Sequence, residues 1–505
     1  MRVILQDTPP PGFQRRRPVI VRVLGSAVVA LLAAFLCAAA VTLQVRGWAA
    51  LDTESGGACG GAYSSACPRG QFISTFATFP VIMVSLPLLV WGLFRQRVLV
   101  KLLLVVVMAG GYLAGQSFYG NLHGTVLNTV WRAGFDQEST LNTEGVWLDG
   151  TTMVRVRDDQ VTGYDQAGGA VRWTYPVPGR NVICALSGTV SGHIGLLGYA
   201  ADGDSCAHFV ALDLTSGRVL WSKQVSGEAM PISATPGLLA VSGSTAALLD
   251  SDGLVGLDLR TGAARWISVP PDDCVLNSID GGPVLAEQMT CDQGFRVAVV
   301  NQATGNPAWS TLVPDDSARS DSLNFLATDP VTVHLKQPGT RGSDEVLSFD
   351  ATGKAGATIP VSGVTGPGGL VALDTGDYAF GALPVQWAFV LRGVLVGVAE
   401  SKSGGVFDVL AYRLSDGARL WAAQLPDSVD TIAPAGDRVL VLGNEAPTPL
   451  LRSVSLATGA LTDIGLVPDD LLAGDSQLIA LGNEFALVNK VGIDPNPPVA
   501  LLAGG

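Results

Sequence analysis

Residues 209–221 read FVALDLTSGRVLW, which predicts a strand, a tight turn and a second strand. Apolar side chains alternate with small or polar ones up to Asp213, the pattern of a strand with one buried face. The TSG sequence that follows supplies turn chemistry, and Gly217 can take a positive φ because it has no Cβ atom. The second strand ends on a large aromatic side chain, Trp221. The stretch therefore predicts a β-hairpin.

The hairpin recurs along the chain. Four other copies end on a tryptophan, and two weaker copies, around Asp350 and Ser455, do not. The five tryptophans are Trp173, Trp221, Trp266, Trp309 and Trp421, and the seven turn glycines are Gly169, Gly217, Gly262, Gly305, Gly353, Gly417 and Gly459. Apart from one gap of 64, successive glycines are 42 to 48 residues apart. A strand-rich repeat of roughly 40–50 residues predicts a β-propeller or a β-solenoid, because one unit cannot bury both faces of its sheet alone.

The recurring residue types have structural interpretations. A carboxylate before the turn can accept N–H bonds from the turn backbone, and we assign this role to Asp165, Asp213 and Asp258. Glycines close the turns, among them Gly217, Gly262, Gly305 and Gly417. The tryptophans could form either a ligand-stacking surface or a girdle of packing residues between blades. Their strict spacing from a structural turn favours packing.

Seven turn motifs predict an all-β propeller of seven blades, with eight as the alternative. Strand-like sequence is left over at both ends of the repeats, in residues 145–156 and 477–488. A closed ring has to join its first and last blades, since otherwise each would leave an unpaired edge. We therefore expect the carboxy-terminal strands to complete the blade that contains Asp165.

The gap of 64 residues separates Gly353 from Gly417 and contains the turn sequence GPGG at residues 366–369. Long inserts in repeat proteins often cluster on one face, where they form binding loops. An ordinary tolerated insertion or the remnant of a degenerate blade explains the gap equally well.

The first 120 residues predict three membrane-spanning helices. Apolar runs cover residues 23–43, 72–94 and 98–119, and each is long enough for the roughly 20 residues that a bilayer requires. The mean hydropathy of +0.36 also exceeds that of an ordinary soluble protein. The first run could instead be a cleaved signal peptide, but it is longer than the roughly 7–15 apolar residues usual for one. We therefore favour a retained helix.

Basic side chains predict the orientation of these helices. Arginines cluster at residues 15–22 before the first run, and basic residues 95–101 lie between the second and third. By the positive-inside rule, both clusters belong in the cytoplasm. We therefore expect a bacterial cell-membrane protein with the following organisation: cytoplasmic residues 1–17, three helices within 18–120 with an extracytoplasmic loop at 44–71, a linker at 121–139 and an extracytoplasmic propeller at 140–505.

Six of the seven cysteines form three sequence-local pairs in segments expected outside the cytoplasm, where disulfides persist. The pairs are Cys59 with Cys67, Cys184 with Cys206, and Cys274 with Cys291. Six cysteines permit many other pairings, so this connectivity is a hypothesis. None of the pairs has the spacing of a zinc site, and we predict no metal ligands.

The propeller sequence is acidic. Residues before 140 hold 11 of the 31 basic and 5 of the 44 acidic residues, so the remainder holds 20 basic and 39 acidic residues, a net charge of −19. This charge argues against nucleic-acid binding, which depends on cationic contacts to phosphate. It is compatible with cationic partners, although a solvated acidic surface explains it as well. The sequence contains no nucleophile elbow, zinc-protease helix or P-loop, and we predict no catalytic residue.

The pattern hydrophobic-x-x-Asp-x-x-[ST]-Gly-x-x-x-Trp, as in ALDLTSGRVLW at 211–221 and GLDLRTGAARW at 256–266, resembles the repeat of quinoprotein-like (pyrroloquinoline-quinone, PQQ) β-propellers. The resemblance covers about residues 140–490. The family includes quinone-dependent alcohol dehydrogenases and non-enzymatic scaffolds such as the propeller lipoprotein of the outer-membrane barrel-assembly machinery. The dehydrogenases are expected to carry two adjacent cysteines beside the cofactor, and no two cysteines here are adjacent.

The resemblance therefore implies a non-enzymatic, membrane-anchored propeller that binds or scaffolds cell-envelope proteins or ligands and carries no cofactor. It would contact the lipid bilayer and bind other envelope or membrane proteins. It would bind no nucleic acid. Two alternatives stay open. The first is a quinoprotein dehydrogenase with PQQ and calcium, and the second is a sensor or accessory subunit of a membrane complex.

Overall fold

The computed structural model describes residues 19–55, 59, 67–95, 98–137, 141–201, 204–225, 237–251, 253–314, 322–336, 344–361, 387–400, 407–425, 428–444, 449–472 and 476–504. The chain divides into two compact units, one ending at Thr125 and the other starting at Val126. The GPGG turn at residues 366–369 and the predicted cytoplasmic segment 1–17 lie outside the described residues.

The first unit contains three helices. They are α1 (Val19–Ser55), α2 (Thr78–Arg95, entered through the π-helical turn Phe72–Ala77) and α3 (Val98–His123). Each contains a segment long and apolar enough to cross a membrane: Ser26–Asp52, Phe72–Arg95 and Val98–His123. The predicted set of three apolar helices is thus confirmed by length and composition.

Small residues set the close approach of these helices. A Cβ atom added to Gly111 of α3 would lie 2.5 Å from the carbonyl oxygen of Phe35 in α1, and one added to Gly115 would lie 2.8 Å from that of Ala39. On α2, a Cβ atom at Gly92 would lie 2.6 Å from the Cβ atom of Ala30. Helix α1 therefore packs tightly against both other helices, as small residues permit in membranes.

The second unit is a β-propeller of eight four-stranded antiparallel sheets. Its first strand is β1 (Asn128–Arg132). Blade 1 consists of β2–β5 (Thr143–Asp149, Thr152–Arg157, Gln160–Asp165, Val171–Pro176), blade 2 of β6–β9 (Asn181–Leu186, Ile194–Ala201, His208–Asp213, Arg218–Gln224), blade 3 of β10–β13 (Leu239–Ser242, Thr245–Asp250, Gly253–Asp258, Ala264–Ser268) and blade 4 of β14–β17 (Cys274–Asp280, Leu285–Cys291, Gly294–Val300, Pro307–Pro314).

The remaining blades continue in the same strand order. Blade 5 consists of β18–β21 (Ser322–Thr328, Val331–Lys336, Asp344–Phe349, Ala355–Pro360), blade 6 of β22–β25 (Ala388–Leu391, Val394–Glu400, Phe407–Arg413, Arg419–Leu425), blade 7 of β26–β29 (Ser428–Ala435, Arg438–Asn444, Leu450–Ser455, Leu461–Leu466) and blade 8 of β30–β32 (Ser476–Leu481, Glu484–Asn489, Val499–Ala503) together with β1. A short 3₁₀ helix, Asp469–Leu471, precedes blade 8.

The two ends of the propeller meet in blade 8. Strand β1 pairs antiparallel with β32, so that Asn128 lies opposite Ala503 and Trp131 opposite Leu501. The expected count of seven blades was therefore one too low, and the alternative of eight applies. The extra blade escaped detection because its outermost strand comes from the other end of the unit, so no hairpin motif joins it to β32.

The expectation that the carboxy-terminal strands complete the blade containing Asp165 was wrong. That blade is built from the four consecutive strands β2–β5, and the carboxy-terminal strands instead pair with β1. Strand β1 lies within residues 121–139, the segment expected to be a linker. The propeller therefore begins upstream of residue 140.

The apolar core lies between neighbouring sheets rather than inside any one of them. One cluster joins Ala211 of blade 2, Leu257 of blade 3 and Ala298 of blade 4, all fully buried. Because each sheet covers its neighbours in this way, a missing sheet would expose two apolar faces.

We predict that deleting residues 476–505 abolishes cooperative folding of the whole propeller. The deletion removes three strands of blade 8, leaves β1 without its partner and exposes the facing sides of blades 1 and 7. Thermal unfolding monitored by circular dichroism should lose its cooperative transition. A truncated protein that stays monomeric and melts close to the temperature of the full-length protein would show that the ring does not depend on this blade.

Candidate functional site

The repeated tryptophans join neighbouring blades. The indole of Trp221, in the outermost strand of blade 2, lies on Gly262 in the last turn of blade 3, where an added Cβ atom would be 2.7 Å from the ring. Gly262 has a φ of 69°, and only glycine fits both this backbone conformation and the ring. The indole Nε1 donates a hydrogen bond of 2.8 Å to the carbonyl oxygen of Leu259 in the same turn.

The same arrangement recurs around the ring. Trp173 lies on Gly217, Trp266 on Gly305, Trp309 on Gly353 and Trp421 on Gly459. Three of these indoles also donate to a carbonyl oxygen of the next blade: Trp173 to Leu214, Trp266 to Gln302 and Trp421 to Leu456. Gly417 faces Ala357, because the copy around Asp350 lacks the tryptophan. Each of these indoles therefore packs against a turn of the next blade.

A sixth tryptophan, Trp131 of β1, takes the same position between blades 8 and 1. It covers Gly169 and donates a hydrogen bond of 2.8 Å to the carbonyl oxygen of Gln166. Sequence reasoning missed this residue because no aspartate–glycine turn precedes it. The signal that could have revealed it was a tryptophan in a short strand-like run 42 residues before Trp173.

The carboxylates before the turns stabilise those turns. Asp258 accepts hydrogen bonds from the hydroxyl and the backbone N–H of Thr261, both at 2.9 Å, and from Arg265 at 2.5 Å. The Thr261 hydroxyl, the Thr261 amide and Arg265 together lower the pKa of Asp258 to about 2. Asp213 likewise accepts from the amide and hydroxyl of Thr215, at 2.9 and 2.6 Å. Asp165 accepts from the amide of Gly168 at 2.9 Å and pairs with Arg172.

The three predicted disulfides are all present. Cys59 is bonded to Cys67 in the first unit. In the propeller, Cys184 is bonded to Cys206, and Cys274 of β14 is bonded to Cys291 of β15. The seventh cysteine, Cys37, is buried in α1.

A buried ionic cluster joins the segment after β1 to blade 1. Asp136 accepts two hydrogen bonds from Arg155, at 2.9 and 2.7 Å, and one of 2.8 Å from Arg157. Only 7% of the Asp136 side chain and 3% of the Arg155 side chain are exposed. The Nε atom of Arg155 also donates to Thr143, whose hydroxyl donates to the carbonyl oxygen of Asn489 in blade 8. The cluster therefore bridges the first and last blades.

Four carboxyl groups in the described part of the propeller have raised pKa values, and one of them is Glu345, whose pKa is raised by burial. Burial, followed by a hydrogen bond with Asp158, raises the pKa of Glu144 to about 9, while Lys490 acts in the opposite direction. Burial raises the pKa of Glu287 to about 7. Burial also raises the pKa of Asp280 to about 6, against the effect of the hydrogen bond that it accepts from the Gly281 amide.

These carboxyl groups do not assemble into a metal centre. Within the described ranges, no three His, Cys, Asp or Glu side chains are placed to hold one ion. Asp280 stands at the end of β14, where its Oδ1 lies 3.7 Å from the position of a Cβ atom added to Gly188 of blade 2. It therefore reaches across blade 3 towards the inner strand of blade 2.

Comparison with known proteins gives the following matches. Residues 128–316 match the model of a PQQ-repeat family described as outer membrane protein assembly factor BamB. No curated protein sequence matches the chain. BamB from Moraxella catarrhalis is similar in structure, with 15% identity, coverage of 75% of this chain and 98% of that chain, and a TM-score of 0.43.

Two further solved structures show a comparable degree of similarity. A europium-containing methanol dehydrogenase has 12% identity, coverage of 73% of this chain and 85% of that chain, and a TM-score of 0.43. Sqt1 from Saccharomyces cerevisiae has 12% identity, coverage of 75% and 99%, and a TM-score of 0.45.

We predict that Trp221→Ala lowers the free energy of unfolding by roughly 3 kcal/mol, the lower end of the range for truncated aromatic core residues, because Trp221 is partly buried. Trp221 covers a glycine of the next blade and donates a partly buried hydrogen bond, and the substitution removes both contacts. Denaturant titration of the purified protein measures the change, with Lys223→Ala in the same strand as the control. An unshifted transition for Trp221→Ala would favour a ligand-binding role for the indoles.

We further predict that the propeller loses stability as the pH rises from about 5 to about 9. Over this window the folded state holds a proton on Glu144 that the unfolded state releases, because the pKa rises from 4.5 to about 9 on folding. Glu144→Gln should therefore raise the free energy of unfolding at pH 8 by more than about 1.4 kcal/mol, the equivalent of one pKa unit. Glu484→Gln, at the β30–β31 hairpin, makes the same substitution away from this buried site and serves as the control. Equal pH dependence in Glu144→Gln and the parent protein would contradict this assignment.

Proposed function

The chain belongs to the PQQ-repeat β-propellers, and from that premise we propose that it is a membrane-anchored scaffold whose propeller binds other proteins of the cell envelope. The observation that carries this proposal is the match of residues 128–316 to a family described as an outer-membrane protein assembly factor. Assembly of other proteins involves contact with them, and such contact requires an accessible surface.

The contacts made by the repeated residues support a binding role for the propeller. The tryptophans and glycines are engaged between blades, and the carboxylates are engaged in their own turns. The repeat therefore builds the ring, and recognition is left to the loops and outer strands that vary from blade to blade. Such surfaces suit protein partners, since a rigid scaffold positions variable loops at little entropic cost.

The location outside the cytoplasm is part of the same proposal. Three helices long enough to cross a membrane precede the propeller, and basic residues flank them on the sides assigned to the cytoplasm. The disulfides Cys184–Cys206 and Cys274–Cys291 fit an oxidising compartment, because cytosolic thiols are kept reduced.

The test is site-specific photo-crosslinking of the full-length protein in its native membranes. A photoreactive amino acid replaces, one at a time, an exposed residue in the outermost strand of a blade: Thr174, Ser222, Ile267, Ser310 or Ala422. Since one partner occupies a limited surface, we expect discrete adducts with envelope proteins at some of these positions and none at others. Mass spectrometry identifies the adducts, and the same probes in a Trp221→Ala, Trp266→Ala background show whether they require the folded ring.

Absence of adducts at all five positions of the folded protein would overturn the proposal. The dehydrogenase alternative has its own readout in the same preparation. Reduction of an artificial electron acceptor by purified protein supplied with PQQ, calcium and an alcohol would establish an enzyme instead of a scaffold.

A further inference from the structure

The outermost strand of blade 3 departs from its equivalents at the residue after the tryptophan. The other four tryptophan-bearing repeats carry small or polar residues there, namely Thr174, Ser222, Ser310 and Ala422. Strand β13 carries Ile267, which is 63% exposed, and Val269, two residues further on, is 72% exposed. One exposed apolar side chain in β13 is thus followed by a second just beyond the end of the strand.

The segment that follows presents a third exposed apolar side chain. Val275, at the start of blade 4, is 67% exposed. We call residues 267–275 the blade 3–4 loop. Covering these side chains with a partner would remove apolar surface from water, which favours binding.

The blade 3–4 loop is held in place by covalent and hydrogen bonds. The amide of Cys274 donates to the carbonyl oxygen of Pro271 at 2.9 Å, and the Cys274–Cys291 disulfide anchors the end of the loop. The amide of Asp292 donates to the carbonyl oxygen of Asp273 at 3.0 Å. A surface fixed in this way loses little conformational entropy when a partner binds.

The charge of the loop indicates the chemistry of its partner. Asp272 and Asp273 are both exposed beside Val275. Residues 266–295 contain no lysine or arginine, and the propeller as a whole carries a net charge of −19 from residue 140 onwards. A complementary segment therefore carries lysine or arginine beside apolar residues.

The backbone of β13 indicates the conformation of that partner. Strand β13 is the terminal strand of its four-stranded sheet, so its outer edge is not paired within the sheet. Natural edge strands are often protected by charged or proline residues. Within β13 itself, the exposed position 267 instead holds a β-branched apolar side chain, which suits the addition of an extended strand, and the prolines at 270 and 271 come only after the strand has ended.

We propose that the blade 3–4 loop and the outer edge of β13 bind an extended segment of an envelope protein in which apolar residues alternate with lysine or arginine. This inference rests on the proposed scaffold function and assigns its recognition surface. The apolar side chains of the segment cover Ile267, Val269 and Val275, and its cations face Asp272 and Asp273.

The test uses fluorescently labelled nine-residue peptides and full-length protein in detergent. One peptide alternates valine with lysine, a second replaces lysine with glutamate, and a third replaces valine with serine. Only the first should bind, as measured by fluorescence anisotropy, and its affinity should fall with added salt because charge pairs are screened. Ile267→Ser with Val269→Ser should weaken this binding at least tenfold, and Asp272→Asn with Asp273→Asn should reduce its salt dependence.

A matched control separates the patch from general surface hydrophobicity. Val219→Ser with Leu220→Ser removes exposed apolar side chains, 41% and 36% accessible, from the equivalent strand of blade 2. This control should bind the valine–lysine peptide as the parent does. Since all four positions are exposed, each variant should keep the parent melting temperature, which thermal unfolding checks.

The outcomes distinguish this inference from the scaffold function. Equal binding to the Ile267→Ser, Val269→Ser variant, or no binding of the valine–lysine peptide to any protein, would overturn the assignment of the patch. If photo-crosslinked adducts nevertheless persist at other blades, the scaffold function stands. Loss of self-association in the double variant, or loss of its binding to lipid vesicles, would instead assign the patch to a second copy of the chain or to a membrane.

Discussion

An indole that rests on a glycine of the next blade is the contact on which the propeller depends. The indole of Trp221 covers Gly262, whose positive φ and missing Cβ atom bring the backbone within contact of the ring. The indole N–H is satisfied by a carbonyl oxygen of the same turn. One contact thus sets the distance between two sheets, buries a large apolar surface and leaves no polar atom unpaired. The contact recurs at six junctions between blades and couples the two blades at each of them.

The last joint of the ring relies on additional interactions. Blades 8 and 1 are held by the tryptophan contact of Trp131, by the pairing of β1 with β32 and by the Asp136–Arg155–Arg157 cluster. Strands β1 and β32 come from opposite ends of the propeller sequence, so the chain loses more entropy in bringing them together than in forming a hairpin. Breaking a buried ion pair by removing one partner is typically costly, about 3–5 kcal/mol. The cluster therefore makes an open ring unfavourable.

The residues of the repeat stabilise the ring. We therefore expect functional residues at positions where a blade departs from the repeat. Blade 3 interrupts it with Ile267, which faces solvent where the other four tryptophan-bearing repeats carry small or polar side chains. Blade 1 interrupts it with Glu144, a buried carboxyl group whose pKa of about 9 keeps it protonated at neutral pH. The first departure provides a surface for a partner, and the second makes the stability of the propeller depend on pH.

The sequence alone determined the features that neighbouring residues encode. Strand alternation, turn glycines and the eight-residue spacing to the tryptophan predicted the β-propeller, apolar runs predicted three helices, and sequence-local cysteines predicted three disulfides. Only the tertiary structure decided the eighth blade, in which Asn128 pairs with Ala503, and the burial of Glu144 and Asp136. The physical reason is that a hairpin is specified within about a dozen residues, whereas ring closure, burial and exposure depend on which distant strands come together.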